Sequence, residues 1–380
     1  MGSLVFPADR WCNLVFLGHG AQGWHGRQRQ TAGRTGTCSA CCCGLDAHGV
    51  WARLARKMAS GSLGVMSDPS VSVVMGVYNG AADLERTLES VLAQEEVDLE
   101  FVVVDDGSTD ATPSILEQYA RRDPRLHVLS QANAGLTSAL IRGCDYARGE
   151  FIARQDAGGD LSLPGRFAQQ LLRLRLRQDC VLVSTGTRMV GPSEEFLFDA
   201  VLTEADLRNG LATLQVPGIR GPCHGSVMFR ADAYRRVGGY RHPFIVAQDM
   251  DLWLRLAERG EMTALSEVLY RSRQSAGGIS HRMGSRQFEF GELAVEAARC
   301  RRAGQPEPPL PEGRWTPTKE NGRSRRSEVA HFHYFVGSCV AARDPQLARQ
   351  HFVKALRARP LHLRALLRLL RPRGYRNDAE

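Results

Sequence analysis

The sequence predicts an α/β fold: an open, mostly parallel sheet flanked by helices, with a small helical tail at the carboxyl end. Three observations support this prediction. From Ser70 onward, short and nearly continuous apolar runs alternate with segments of helical period. The runs lack the polar alternation of half-exposed strands, which indicates strands buried on both faces. Acidic residues follow several runs, where open α/β sheets bind their ligands.

Each element can be placed in order along the chain. Val71–Val77 is the first apolar run, and Leu84, Leu88, Val91 and Leu92 then form the stripe of an amphipathic helix. Alternating strands and helices imply right-handed crossovers between parallel strands. Further strands are predicted at 101–104, 126–129, 151–155 and 181–183, and further helices at 111–121, 136–147 and 164–177.

Composition divides the chain into four segments. Residues 1–68 are rich in glycine and hold five of the ten cysteines, and we expect a disordered extension or an upstream start, with Met66 as the true initiator. Residues 69–290 form the predicted catalytic domain. A helix and linker are expected at 291–327, followed by a helical tail at 328–380.

The helical tail resembles one tetratricopeptide unit, since its residues match the second-helix pattern at Ala348, Phe352, Ala355 and Pro360. One such unit cannot bury its own apolar face. We therefore expect it to pack on the catalytic body or on a partner.

The net charge of +8 is unevenly distributed. Residues 1–68 carry +4 and 291–380 carry +9, so the segment between them carries −5. A mildly acidic body argues against a nucleic-acid partner. The basic tail is either a solvated helical face or a peripheral contact with an anionic membrane surface or a protein. No apolar run reaches the length of a membrane span, and the scattered cysteines fit a reducing compartment, so we expect a cytoplasmic protein.

Three acidic clusters lie at predicted strand ends or loops. Converging carboxylates can hold a divalent cation or act as acid and base. Each cluster alone has an ordinary explanation as a cap or a solvated turn, but three of them in an α/β pattern favour a shared cleft. The clusters are Asp105/Asp106, Asp156/Asp160 and Asp249/Asp251.

Several motifs in register resemble the family-2 glycosyltransferases over about residues 70–285. The resemblance implies a nucleotide-sugar-binding fold of the glycosyltransferase A type. It rests on segments that begin at Val73 (VVMGVYNG), Val103 (VVDDGSTD), Asn133 (NAGL), Ala147 (ARGE), Ala153 (ARQDA), Leu161 (LSLP), His224 (HGSVMFR), Gly238 (GGY) and Gln248 (QDMDLW).

The resemblance assigns residues to the donor. Tyr78 and the backbone around Gly76 are expected to border the base and ribose. Asp106 is expected to accept a hydrogen bond from the base, while Asp105 supports the loop. His224 is either a donor to the acceptor or phosphate, or a packed structural residue.

The resemblance also implies a divalent cation, Mn²⁺ or Mg²⁺, on an Asp-x-Asp motif that begins at Asp156. The sequence departs from that motif, because Gly158 and Gly159 replace a carboxylate in either alignment. Asp160 is expected to compensate as the second ligand. A cation can also be held by one carboxylate with substrate phosphates and water.

Asp249 matches the general base of inverting members of the family. Two residues later, Asp251 is equally well explained as a charge near the first turn of a helix, and Trp253 as a core residue. His281 is a weaker candidate for reaching the diphosphate from a closing loop.

The predicted function is transfer of a sugar from a nucleotide-diphosphate donor, a UDP-sugar first, to a hydroxyl of a saccharide or lipid-linked acceptor, in cell-surface polysaccharide or glycoconjugate synthesis. The alternative is a catalytically impaired relative that binds nucleotide sugars or scaffolds partners. Lysines occur only at Lys57, Lys319 and Lys354. Their absence from the α/β region excludes a receiver domain, a Walker loop and a pyridoxal-phosphate site there.

Overall fold

The computed structural model describes residues 68–214, 221–276, 278, 284–311 and 322–370. The predicted extension, apart from Asp68, lies outside the described residues, together with the proposed initiator Met66 and His281. The four-segment division of the chain therefore stays a prediction at its amino-terminal boundary.

Four parallel strands form one half of the sheet, in the order β3-β2-β1-β4. Every residue of β1 and β2 is buried, which is why their sequences are continuous apolar runs. The α/β prediction is confirmed. The elements are β1 (Val71–Val77), α1 (Leu84–Leu92), β2 (Leu99–Asp105), α2 (Thr112–Arg122), β3 (Leu126–Ser130), α3 (Leu136–Tyr146) and β4 (Phe151–Arg154).

The other half of the sheet is mixed rather than parallel. The short strand β8 runs antiparallel between β4 and β6, and β7 returns against β6 as a hairpin. A hairpin needs no crossover helix, so the strand–helix alternation that predicts parallel pairing ends here. The elements are β5 (Leu161–Ser162), α4 (Arg166–Leu176), β6 (Cys180–Val190), β7 (Phe196–Ala200), α5 (Glu204–Ala212), β8 (Val227–Arg230), α6 (Ala231–Arg236), α7 (Gln248–Ala257) and β9 (Glu261–Arg273).

Helices cover both faces of the sheet and enclose two apolar cores. On one face, Leu88 of α1 and Phe167 of α4 belong to the same buried cluster as the strands. On the other face, Leu140 of α3 and Trp253 of α7 pack with Val295 of a later helix. The strands are thus held from both sides, and their carboxyl-end loops remain free for function.

The carboxyl-terminal helices are α8 (Gly284–Arg302), α9 (Gly322–Val340), α10 (Pro345–Ala358) and α11 (Leu363–Leu370). Phe332 and Phe352 share a buried cluster with Leu197 of β7, so the tail packs on the catalytic body. Arg343 Nη2 strengthens this contact by donating to the carbonyl oxygens of Phe196 (2.9 Å) and Leu197 (2.6 Å). Among the described residues, no helix combines the length and apolar character that a bilayer crossing needs.

Gly76 allows α3 to approach β1 closely. A Cβ built at this position would lie 3.1 Å from both Ala139 Cβ and Leu136 Cδ1. We predict that Gly76→Val destabilises the fold by about 1–3 kcal/mol, because the added atoms overpack this contact. Urea unfolding would measure the loss. Wild-type stability with weakened ligand binding would show instead that Gly76 serves the ligand.

Candidate active site

The candidate site lies at the carboxyl ends of β1, β2 and β4. The register places Val77 opposite Asp105, so the loops after β1 and β2 leave the sheet side by side. Gln155, directly after β4, donates its backbone N–H to Val74 of β1 at 3.2 Å. Three chain segments therefore meet at one edge, as predicted for ligand binding in open α/β sheets.

Polar side chains join the loops after β1 and β2. Asn79 Oδ1 accepts from the Thr109 backbone N–H at 2.8 Å, and the Asn79 N–H donates to Ser108 Oγ at 2.9 Å. Gly80 N–H donates to Thr112 Oγ1 at 2.9 Å. These bonds hold the two loops together, and we call their outer edge the rim. Tyr78 lies on this rim and is 50% exposed. Sequence reasoning missed Asn79, Ser108 and Thr112, although polar residues directly after two buried strands were a usable signal.

Asp106 accepts hydrogen bonds from three protein donors, and its expected hydrogen bond from the base stays a prediction. Its Oδ1 accepts from Gln131 Nε2 and from the Ala134 N–H, both at 2.8 Å, and its Oδ2 accepts from the Gly135 N–H at 2.8 Å. The side chain is buried. Asp106 therefore positions the loop that leads into α3.

Asp105 contacts the loop after β2. It is buried, and its Oδ1 accepts from the Ser108 N–H at 3.0 Å. Gly76 is buried within β1 beneath α3, where its missing side chain allows close helix packing. That the backbone around Gly76 borders the base and ribose stays a prediction.

Arg154, the last residue of β4, is fully buried and connects the acidic cluster to the sheet. Its Nη2 donates to Asp156 Oδ1 at 2.6 Å, and its Nη1 donates to the carbonyl oxygens of Val74 and Gln155. Burial acts to lower the pKa of Arg154, but Asp156 and nearby tyrosines hold it above its ordinary value. The signal in the sequence was an arginine at the end of the apolar run FIAR.

Arg166, at the start of α4, is the second buried arginine. It donates to the carbonyl oxygens of Arg154 (2.8 Å) and Gly225 (2.6 Å) and to Ser162 Oγ (2.9 Å). Its guanidinium also lies 4.7 Å from the ring centre of Tyr270. Burial lowers the pKa of Arg166 to about 10, so it stays charged at neutral pH. It fastens the end of β4 to the segment before β8.

Asp160 does not present itself as a metal ligand, which corrects the prediction. It is buried, Tyr270 Oη donates to its Oδ2 at 2.9 Å, and the Arg273 N–H donates to its Oδ1 at 2.8 Å. Burial, together with the charge of Asp156, raises the pKa of Asp160 to about 7. A buried carboxyl whose two oxygens both accept from protein donors is poorly placed to bind a cation.

Asp156 is the carboxylate that can still face a ligand. Its side chain is 29% exposed. A Cβ at Gly158 would find no atom within 4 Å, so the space beside Asp156 is open. Within the described ranges, no group of three or more His, Cys, Asp or Glu side chains could hold a metal ion. The residues therefore fit a cation bound by one carboxylate with substrate oxygens, and do not fit a two-carboxylate site.

Gly225 leaves room for Tyr270 and Asp156, because it has no side chain. A Cβ at this position would lie 2.0 Å from Tyr270 Oη and 2.9 Å from Asp156 Oδ2. The Tyr270 hydroxyl also accepts from the Asp156 N–H at 3.2 Å. A side chain at residue 225 would therefore displace the tyrosine that links Asp156 to Asp160.

His224 is packed among other side chains, and its expected role as a donor to the acceptor or phosphate stays a prediction. Arg154 Nε donates to its Nε2 at 3.2 Å, and the Tyr240 hydroxyl lies 2.7 Å from the same nitrogen. Its ring makes edge contacts with Tyr240 and Trp253. Burial and the charge of Arg154 hold the pKa of His224 well below its ordinary value, so the ring is neutral.

Asp249 lies in the first turn of α7 and is half-buried. Its Oδ1 accepts from the Met250 N–H at 2.9 Å. Burial raises the pKa of Asp249, and the charge of Asp156 raises it further, so the two carboxylates act on each other. A raised pKa makes Asp249 a stronger base than an exposed aspartate.

Asp251 and Trp253 have structural roles. Asp251 is buried and accepts from Arg255 Nη2 at 2.5 Å and from Arg241 Nε at 3.1 Å. Trp253 is buried in the apolar core under the sheet. The two residues fix the orientation of α7 and hence the position of Asp249.

Comparisons with known proteins show which proteins this chain is similar to. The family model described as "Glycosyl transferase family 2" matches residues 72–238. "Putative glycosyltransferase EpsE" of Bacillus subtilis (strain 168) is 35% identical over 251 residues, which are 63% of this chain and 85% of that protein. "Chondroitin synthase" of Pasteurella multocida (strain Pm70) is 28% identical over 202 residues, 53% of this chain but only 20% of that protein.

Among solved structures, the mannosyltransferase PcManGT from Pyrobaculum calidifontis, in complex with GDP-Man and Mn²⁺, is 20% identical. The match covers 84% of this chain and 85% of that one, with a TM-score of 0.46.

The raised pKa of Asp160 predicts a pH-dependent stability. Because this pKa is about 7 in the fold and 3.8 ordinarily, the folded protein binds the proton more tightly than the unfolded chain. Rising pH between about 4 and 7 should then weaken the fold, by about 1.4 kcal/mol per unit of pKa difference.

Asp160→Asn lacks this ionisation. The difference between the two free energies of unfolding, wild type minus variant, should therefore fall as the pH rises through this range and stay constant above it. Urea titrations at several pH values measure it, with Asp145→Asn, at an exposed carboxylate of α3, as the control. A difference that rises with pH would contradict the prediction.

Proposed function

This chain belongs to glycosyltransferase family 2, and from that membership we propose that it moves a sugar from a nucleotide-diphosphate donor to an acceptor hydroxyl, with inversion at the anomeric carbon. The observation that carries the proposal is Asp249, a half-buried carboxylate with a raised pKa that interacts with Asp156 at the ligand-binding edge of the sheet. UDP-sugars are the first donor class to examine.

The donor is proposed to bind across the loops after β1, β2 and β4. The exposed ring of Tyr78 offers a stacking surface for the base. The hydrogen-bonded loops around Asn79 and Ser108 keep this rim in place before the donor arrives. Asp156 lies at the end of β4, where the diphosphate and sugar would follow the nucleoside.

A divalent cation fits this arrangement when Asp156 and the donor's own phosphate oxygens share it. When bound, the cation would neutralise charge on the diphosphate leaving group. Arg154 holds Asp156 Oδ1 in position and leaves Oδ2 beside Gly225. The chain's own contribution is therefore one oriented carboxylate beside an open space.

Asp249 is proposed to accept the proton of the acceptor hydroxyl. As the hydroxyl oxygen bonds to the anomeric carbon, the bond from that carbon to the diphosphate oxygen breaks, and the nucleoside diphosphate leaves. Attack opposite to the leaving group inverts the configuration. The carboxylate also favours the positive charge that develops on the sugar ring.

The acceptor is proposed to be a saccharide or lipid-linked hydroxyl in polysaccharide or glycoconjugate synthesis. The support is the similarity of residues in this chain to part of a chondroitin synthase. Because the match spans a fifth of that protein, the similarity concerns a transferase domain rather than a particular polymer.

Asp249→Asn is expected to lower the rate of sugar transfer by about 10²–10⁴-fold, because the amide cannot accept the proton. Donor affinity should stay within about twofold, since the change is nearly isosteric. Transfer from a panel of UDP-sugars and calorimetric donor binding are measured together. Unchanged transfer would remove Asp249 from this role, and absence of any donor binding would count against the proposed function itself.

Asp156 and Asp160 should differ in their response to metal. We expect Mn²⁺, compared with EDTA, to tighten donor binding by about tenfold in wild type, equivalent to about 1.4 kcal/mol. Asp156→Asn should lose this response, whereas Asp160→Asn should keep it because Asp160 faces Tyr270 and Arg273. Comparing these two variants separates the loss of a metal-binding carboxylate from a general loss of structure at the site. A response lost only in Asp160→Asn would restore Asp160 as the ligand.

A further inference from the structure

Helix α11 carries a stripe of exposed leucines. Leu363, Leu366, Leu367 and Leu370 are 67%, 40%, 62% and 69% exposed. At about 100° of rotation per residue, these four side chains fall within an arc of about 100° on the helix surface. Scattered exposed leucines are ordinary, but a contiguous apolar stripe marks an interaction surface.

The opposite side of α11 is already packed, which fixes the direction of the stripe. His362 and Ala365 are buried. The His362 ring lies 5.1 Å from the ring of Tyr334 and 5.2 Å from that of His331, both on α9. The helix therefore cannot turn its leucines inward without giving up these contacts.

Positive charge surrounds the stripe. Between Pro345 and Asn377 the sequence contains eight arginines and one lysine, with no aspartate or glutamate. On α11 itself, Arg364 and Arg368 are exposed and lie beside the leucine arc. Arg357 and Arg359, just before the helix, are exposed as well. A basic and apolar surface is complementary to an anionic lipid headgroup layer.

We propose that α11 lies flat on an anionic membrane surface, with its leucines at the acyl boundary and its arginines on the headgroup phosphates. The combination selects this partner, because the basic residues complement anionic headgroups and the adjacent leucines can reach the acyl boundary. The contact is reversible, since one short helix buries few apolar groups. The inference does not depend on the donor or the acceptor that the catalytic body uses.

Sedimentation of the full chain with vesicles tests the proposal. Neutral phosphatidylcholine vesicles are compared with vesicles that also contain phosphatidylglycerol. We expect wild type to partition at least about tenfold more strongly into the anionic vesicles, and added salt to weaken this binding. Equal partitioning into both vesicle types, or none into either, would overturn the proposal.

Two variants separate the apolar and basic contributions. Leu363→Gln with Leu367→Gln, and separately Arg364→Gln with Arg368→Gln, should each lower anionic vesicle binding by about fivefold or more. Leu176→Gln, at a leucine of α4 that is 72% exposed, is the matched control and should bind as wild type does. Circular dichroism should show that all three variants stay folded.

The same leucine variant tests two other possible occupants of the stripe: a second copy of the chain and another segment of the same chain. If the stripe instead joined two copies of the chain, wild type would be a dimer in light scattering and the leucine variant a monomer, with no effect on vesicles. If another segment of the chain covered the stripe, the leucine variant would lose thermal stability and keep its vesicle binding. Either result would overturn the proposal.

Discussion

Two buried arginines, Arg154 at the end of β4 and Arg166 at the start of α4, are the constraint on which the site depends. Arg166 joins the carbonyl oxygens of Arg154 and Gly225, and Arg154 in turn holds Asp156 and the carbonyl of Val74. Removing either would leave carbonyl groups or a carboxylate unpaired in a buried environment, which costs more than the lost hydrogen bonds alone. The arginines also place permanent positive charge beside Asp156. The acidic cluster is therefore preorganised by the protein before any ligand arrives.

The aspartates of this site show how one side chain serves different purposes in different surroundings. Asp106 bonds three loop donors and positions backbone, whereas Asp160 is buried, with its pKa raised to about 7. Asp249, half-buried with a raised pKa, is suited to proton transfer. Asp156 is balanced by Arg154 at its Oδ1, and its Oδ2 lies beside Gly225. Burial and fixed partners, rather than residue type, divide these roles.

The helical tail packs against the turn between β6 and β7 of the catalytic body. On one side of this turn, His351 Nε2 lies 3.4 Å from Glu195 Oε1. On the other, Glu194 pairs with Arg271 of β9, and Arg273 of the same strand donates its N–H to Asp160. The tail thus contacts the β6–β7 turn, which in turn contacts β9, the strand that bonds Asp160. A surface contact made by α11 would set how the ligand-binding edge is oriented toward that surface.

The sequence by itself determined the α/β class and the order of the main strands and helices as far as β6, and it predicted the sheet edge at which we propose that ligands bind. Strands buried on both faces must be continuous apolar runs, and helices on a sheet must carry a leucine stripe, so both patterns are visible locally. The antiparallel position of β8, the packing role of Gly76 and the direction in which each aspartate points were decided by tertiary structure. The reason is distance along the chain: Asp160 meets Tyr270, Gly225 admits that same hydroxyl, and Arg166 reaches the carbonyl of Gly225. No local pattern encodes these partners, which lie 45 to 110 residues apart along the chain.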